Sequence, residues 1–285
     1  MKLSIILATC NRADIIVGTL ESIKSIRLKD HELELIVIDQ SFDDKTYLAL
    51  EEYFPYINIL YFHALRRGLS HSRNLGLDFA RGDYVCFGDD DCAYSHDLLD
   101  SLNKYVLDNQ SDIIGGGVYI PFTSKLTRYT YYDKPCMIKM RNMAKLITSI
   151  SIFVRRNIIS DNGFKFDDKF GLGAEFSSCE ELDFVYRILD SGFKGIYRPD
   201  VVVYHEDTVG YTPDKTFSYA KGHGAYCRKL LSSGHLGSYI YVATKFFKTL
   251  LKFPVGFVLR RQFHAKSFFK GFSYGFKNYK KHLGG

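Results

Sequence analysis

Three consecutive carboxylates, Asp89, Asp90 and Asp91, follow the apolar run Tyr84-Val85-Cys86-Phe87 and a single glycine. The run reads as a buried strand that delivers the acids at its end. Like charges packed this closely raise one another's pKa in a low-dielectric cleft, so they must be solvated or neutralised by a cation. Mg2+ and Mn2+ choose such oxygen-rich sites and share the work between one or two carboxylates and substrate phosphates. The bland alternative is a solvated acidic turn leading into a helix that starts near Ser95. Other polar residues stand at comparable places: Thr9-Cys10-Asn11-Arg12 after Leu3–Ala8, and Asp39-Gln40-Ser41 after Leu33–Ile38. Arg73 and Asn74 add a cation and an amide shortly before the acidic cluster. Together these groups could serve a nucleotide, which needs acceptors for base and ribose, cations for its diphosphate and a metal where that diphosphate leaves.

The elements that must position them alternate. Strand-like runs Leu3–Ala8, Leu33–Ile38, Ile57–Phe62 and Tyr84–Phe87 are separated by helical patterns over Ala13–Ile26, Lys45–Tyr53 and Ser70–Ala80. A βαβα rhythm of β-branched runs predicts a largely parallel sheet covered on both faces. In such sheets ligands bind beyond the carboxyl ends of the strands. Later strands are expected at Ile113–Ile120, Thr148–Val154 and Val201–Tyr204, and a helix at Glu180–Leu189.

No glycine fingerprint of the dinucleotide type follows the first strand, and no phosphate-cradling G-x-x-x-x-G-K-[ST] loop occurs, which demotes hydride transfer and P-loop chemistry. The six cysteines form no C-x-x-C pair and no zinc-like spacing. Reduced thiols in a cytosolic protein are expected. The apolar start is too soon interrupted by Asn11-Arg12 to serve as a signal peptide, and no run is long enough to span a bilayer.

The ordered motifs resemble those of family 2 glycosyltransferases: Leu3–Arg12, Leu35-Ile36-Val37-Ile38-Asp39-Gln40-Ser41, Ser72-Arg73-Asn74-Leu75-Gly76-Leu77 with Gly82-Asp83-Tyr84, and Asp89-Asp90-Asp91. The resemblance spans roughly residues 3 to 210 and implies a GT-A fold, a nucleotide-diphospho-sugar donor and inverting chemistry. It implies that Thr9, Asn11 and Arg12 line the nucleotide pocket, with Asp90 and Arg73 beside the nucleotide or diphosphate. Asp39 would accept from the base, commonly uracil; its plainer role is to cap a strand–helix turn. Asp91 would hold Mg2+ or Mn2+, with Asp89 nearer the ribose or the metal's waters and His205 as a further ligand. The family's acidic motif at a helix start corresponds to Glu180-Glu181-Leu182-Asp183, where a glutamate replaces the usual aspartate. Glu181 is taken as the catalytic base, with Glu180 as the alternative. Phe170-Gly171-Leu172-Gly173-Ala174 reads as an acceptor-side loop.

Charge divides the chain. Residues 215 to 285 carry 14 Lys and Arg and no Asp or Glu, whereas residues 1 to 214 carry 24 basic and 32 acidic groups. The expected organisation is a catalytic domain over 1–214 and a basic, aromatic, helical region over 215–285. In that region Phe246, Leu250, Phe253 and Phe257 share a helical face opposite Lys245, Lys248 and Lys252. Such a segment suits an anionic membrane surface; the family resemblance adds the expectation of a glycan or lipid-linked acceptor at the inner face of the cell membrane. A helical appendage packed on the catalytic domain is the alternative. Nucleic-acid binding through the tail and a nucleotidyltransferase of similar fold are the competing functions. No recognised nucleic-acid motif accompanies the tail, and Cys10-Asn11-Arg12-Ala13 is not the glycine-rich loop of a nucleotidyltransferase.

Overall fold

A computed structural model of the chain describes residues 1–107, 111–127, 132–207, 212–234, 239, 241–243 and 264–280. The first half follows the expected alternation: β1 (Lys2–Thr9), α1 (Ala13–Lys24), β2 (Glu32–Asp39), α2 (Lys45–Glu51), β3 (Asn58–His63), α3 (Leu69–Phe79) and β4 (Tyr84–Gly88). Then come β5 (Cys92–Tyr94), α4 (Leu98–Leu107), β6 (Ile113–Tyr119), β7 (Cys136–Ile138), β8 (Ile152–Arg155), α5 (Arg156–Asn162), α6 (Glu180–Asp190), β9 (Gly195–His205), α7 (Pro213–Leu231) and α8 (Ala265–Asn278).

Among the described residues one sheet runs β3-β2-β1-β4-β8-β6-β9-β5, with β7 on β9. β1 to β4 are mutually parallel where they pair, and the sheet is mixed beyond β4. Period-two alternation explains why both faces are dry. Ile6, Ile36, Ile38, Val85 and Phe87 point into one core; Leu3, Ile5, Leu7, Leu35, Val37 and Cys86 point into the other. Helix α3 approaches β1 at Gly76, where an added Cβ would overlap the Ile6 side chain.

Several expected boundaries differ, among them the late strand, expected over Val201–Tyr204 and running from Gly195 to His205. The strand expected over Thr148–Val154 begins only at Ile152, because Ser149–Ser151 forms a 3-10 turn. The acidic cluster is followed not by a helix near Ser95 but by β5, and α4 starts at Leu98. β5 is fixed by its antiparallel pairing with β9, a long-range contact that local pattern does not reveal.

The basic region is partly integrated into the body. Helices α7 and α8 run parallel: Phe217 lies against Gly271, Lys221 against Gly275 and Arg228 against Phe276. A Cβ at Gly224, Gly271 or Gly275 would overlap a backbone carbonyl of the facing helix, so the two backbones touch. The Phe246–Phe257 face lies outside the described residues. All six cysteines are free.

Candidate active site

Strand register assembles the site. Thr9 is level with Asp39 across β1–β2, and Leu7 is level with Gly88 across β1–β4. The chain past Gly88 therefore carries the acids up to the level of Thr9, whose hydroxyl donates to Asp90 Oδ2 at 2.7 Å. β9 ends on the same edge, with His205 opposite Cys92.

A cation chain neutralises the three acids. Arg12 meets Asp90 through Nε at 2.9 Å and Asp91 through Nη2 at 2.7 Å. His205 Nε2 lies 3.3 Å from Asp91 Oδ1. Asp90 is buried, which excludes a merely solvated turn, and that burial pushes its carboxyl up to about 6 against the pull of Thr9 and Arg12. Asp91 is held below its ordinary value, chiefly by the hydrogen bond from His205, and the same bond raises the imidazole. Asp89 is displaced upward by desolvation, opposed by Arg73.

Asp91 and His205 fit a divalent cation. His205 Nδ1 lies 2.6 Å from the carbonyl of Glu206. With Nδ1–H held by that carbonyl, loss of the Nε2 proton that now faces Asp91 would free the Nε2 lone pair for a cation between the two side chains, the arrangement that orients metal-binding imidazoles. Among the described residues no three His, Cys, Asp or Glu side chains converge on one point. Such a cation would complete its shell from water and substrate oxygens, as Mg2+ and Mn2+ commonly do.

Arg73 sits differently from the expectation. It is wholly buried on α3, with Nη1 on Glu180 Oε1 at 3.0 Å and Nη2 on Asp89 Oδ1 at 3.1 Å. Its guanidinium lies 5.6 Å from the ring centre of Phe166 and 6.0 Å from that of Phe87. It is closed off between two carboxylates and does not lie open toward a diphosphate. Asn74 is also committed inward: its side chain exchanges hydrogen bonds with the backbone of Phe166 and donates to Asp168.

Asp39 is fully buried. Its carboxylate accepts from the Ser41 N–H and hydroxyl, and from the Tyr61 hydroxyl at 3.0 Å. These are the contacts of a turn-capping acid. The exposed neighbour at this strand end is Asn11, whose backbone N–H donates to Ser41 Oγ at 2.7 Å. Asn11 has φ +54°, a left-handed conformation that asparagine tolerates better than most residues. Ser41, already within the Asp39-Gln40-Ser41 strand end, and Tyr61 complete this corner, and nothing in the local sequence marks out Tyr61.

Helix α6 starts abruptly. Cys179 takes φ +71° and its carbonyl accepts the first helical bond, from Asp183. The two following glutamates then diverge. Glu180 is buried and paired with Arg73. Glu181 is partly exposed; burial of its carboxyl and the nearby Glu180 charge push it up to about 8. Asp183, one turn on, is tied to Arg187 at 2.9 Å and Lys229 at 2.9 Å, a structural fastening.

The Phe170–Ala174 loop packs beside this helix start. Gly171 has φ +95°, and a Cβ there would meet Ser70 Oγ at 3.1 Å and Glu180 Cδ at 3.5 Å. Leu172 accepts from the Leu69 N–H and projects its side chain outward. A cavity of about 620 Å³ lies elsewhere, beside α7 and α8, so the site rests on the chemistry of the strand ends and not on cavity size.

Comparison with known proteins places the chain in a family. Residues 4–164 match the profile described as Glycosyl transferase family 2. The chain is 23% identical over 271 residues to a cholesterol galactosyltransferase of Borreliella burgdorferi, covering 86% of this chain and 75% of that one. It is 25% identical over 170 residues to the poly(ribitol-phosphate) beta-N-acetylglucosaminyltransferase TarP of Staphylococcus aureus, covering 58% of this chain and 52% of that protein. Among solved structures, the mannosyltransferase PcManGT of Pyrobaculum calidifontis in complex with GDP-Man and Mn2+ superposes with a TM-score of 0.65 at 16% identity, covering 95% of this chain and 84% of that one. S. aureus TarS 1–349 in complex with UDP-GlcNAc gives 0.62 at 18% identity, covering 80% and 66%. Those likenesses show the GT-A fold, and with the profile match spanning more than half of its length, the chain belongs to family 2 of the glycosyltransferases.

Proposed function

We propose that this glycosyltransferase moves a sugar, with inversion, from a UDP-linked donor to a hydroxyl of a glycan or lipid-linked acceptor in surface-polysaccharide or glycolipid assembly. The observation that supports the reading is the division of labour between neighbouring glutamates: Arg73 joins Glu180 to Asp89, while Glu181, with no ion pair among the described residues, stands within the field of Glu180 and Asp89. The UDP-GlcNAc complex of the TarS neighbour and the lipid acceptor named for the Borreliella relative support donor and acceptor classes.

Asn11 and Arg12, which keep exposed surface, would face the nucleotide, while Thr9 holds Asp90 in place. Asp39 would act through Ser41 and Tyr61, fixing the corner that receives the base. Asp91 and His205 would hold Mg2+ or Mn2+, which supplies neutralisation of the charge developing on the departing nucleoside diphosphate. Glu181 takes the proton of the acceptor hydroxyl as its oxygen bonds to the anomeric carbon. The bond to the diphosphate oxygen breaks in the same event, and its electron pair leaves with the nucleotide. Arg73 holds Glu180 and Asp89 in register.

Peripheral membrane association through the basic region belongs to the same reading; among the described residues no helix is long and apolar enough to cross a membrane. The test is a panel of UDP- and GDP-sugars screened for Mn2+-dependent thermal stabilisation. A UDP-sugar that raises Tm only with the metal, and that is turned over to UDP, supports the proposal; stabilisation by GDP-sugars alone refutes the donor class.

A further inference from the structure

The cavity of about 620 Å³ beside α7 and α8 is lined by Arg228, Ser232, Phe276, Lys277, Tyr279 and Lys280. Three of these are cations and none is an acid. Arg228, Lys277 and Lys280 are exposed, and none forms an ion pair with a described residue. The nearest acid fastened to this end, Asp167, is taken by Lys229 at 2.7 Å. Arg228 lies over the Phe276 ring at 5.7 Å, which orients the guanidinium plane. The Ser232 hydroxyl is committed to the Lys229 carbonyl and the Tyr279 hydroxyl to Asp167, so charge, not hydroxyl donation, dominates this wall.

A plainer role for the cations is to offset the helix dipoles. Both helices run parallel and end here, with basic residues in their last turns. Each helix end is equivalent to roughly half a negative charge. Two ends thus account for about one of the three positive charges, and about two remain. That surplus matches a phosphate, which an arginine fork and lysine point charges recognise well. The volume is larger than a bare phosphate needs and falls among ordinary ligand pockets. Phe276 and Tyr279 add apolar surface for whatever the phosphate carries.

We propose that this cavity binds a phosphate group bearing an organic substituent, as in a phosphorylated acceptor or a lipid headgroup. The position adds a consequence. The Tyr279 ring packs 5.6 Å from Phe170 and 5.8 Å from Phe176, and the Lys169 ammonium donates to the Lys280 carbonyl at 2.8 Å. Phe170 opens the loop whose Gly171 backs onto Glu180. An anion held here sits at the outer side of that loop. The inference does not depend on the identity of the donor.

The experiment uses the full chain and the variant Arg228→Gln/Lys277→Gln/Lys280→Gln, with Lys215→Gln/Lys266→Gln/Lys270→Gln as a control of equal charge on the same two helices. One arm measures co-sedimentation with phosphatidylcholine vesicles with and without phosphatidylglycerol. The other measures thermal shifts with inorganic phosphate and with glycerol 1-phosphate. Three charges at an anionic surface predict roughly a hundredfold weaker partition for the cavity variant, and a much smaller loss for the control. Loss in the vesicle arm alone identifies a headgroup; glycerol-phosphate stabilisation that disappears in the cavity variant identifies a free phosphate ester. Equal losses in both variants, or no response of the wild-type protein in either arm, overturn the proposal.

Discussion

Arg73 Nη1 and Glu180 Oε1 meet at 3.0 Å inside the protein, and this contact sets Glu180 apart from the adjacent Glu181. A buried guanidinium needs its partners, because an uncompensated charge there is costly. Arg73 therefore keeps Glu180, with Asp89, and among the described residues Glu181 forms no ion pair.

Removing the two carboxylates should consequently have different effects. Glu181→Gln is expected to leave donor binding intact, to raise Tm at neutral pH because the cost of burying this acid is removed, and to lower kcat by a hundredfold or more, roughly the general-base contribution. Glu180→Ala should destabilise the fold by roughly 3 kcal/mol, as breaking a buried pair does. Paired thermal melts and turnover assays separate the two; a Glu181→Gln enzyme of full activity removes the base assignment.

The pH profile has a worked sign. Burial and the Glu180 charge push Glu181 up to about 8, and a base works only when deprotonated. kcat/KM should rise with pH below about 8 and level off above it, and the limb should vanish in Glu181→Gln. Stability runs the other way. The folded state holds this proton more tightly than a carboxyl at its ordinary 4.5, so stability falls as pH climbs from there toward about 8.

Asp91→Ala is expected to abolish Mn2+-dependent release of nucleotide and to lower the raised imidazole pKa of His205, whose main cause is that carboxylate. NMR titration of His205 reads the second effect independently of activity. An unchanged imidazole pKa would contradict the observed pairing.

Glycines should respond by place. Gly275→Val forces α8 from the Lys221 carbonyl and should lower stability by about 1–3 kcal/mol or more, the range for overpacking. Gly18 lies in α1 with open space where a Cβ would stand, so Gly18→Ala should stabilise by roughly 1 kcal/mol. Denaturant melts of both variants check the contrast.

The parallel β1–β4 half was legible because strands buried on both faces read as unbroken apolar runs, and because polar residues collect where such runs stop. Thr9, Asp39, Asp89–Asp91 and His205 were found on that signal together with the ordered motifs, and they do meet at one edge. Legibility failed where an assignment depended on a distant partner. β5 exists through β9, the start of β8 is delayed by a 3-10 turn, and the α7–α8 contact depends on Gly224, Gly271 and Gly275 meeting backbone to backbone.

By itself the sequence determined which residue types arrive at the ends of which strands, since alternation and strand termini are local properties of the chain. Only the tertiary structure decided their partners: that Arg73 is spent on Glu180 and Asp89, that Asp39 is closed under Ser41 and Tyr61, and that Lys229 reaches back to Asp167 and Asp183. Ion pairing and desolvation depend on separation in space, and separation along the chain, 107 residues for Arg73 and Glu180, says nothing of it.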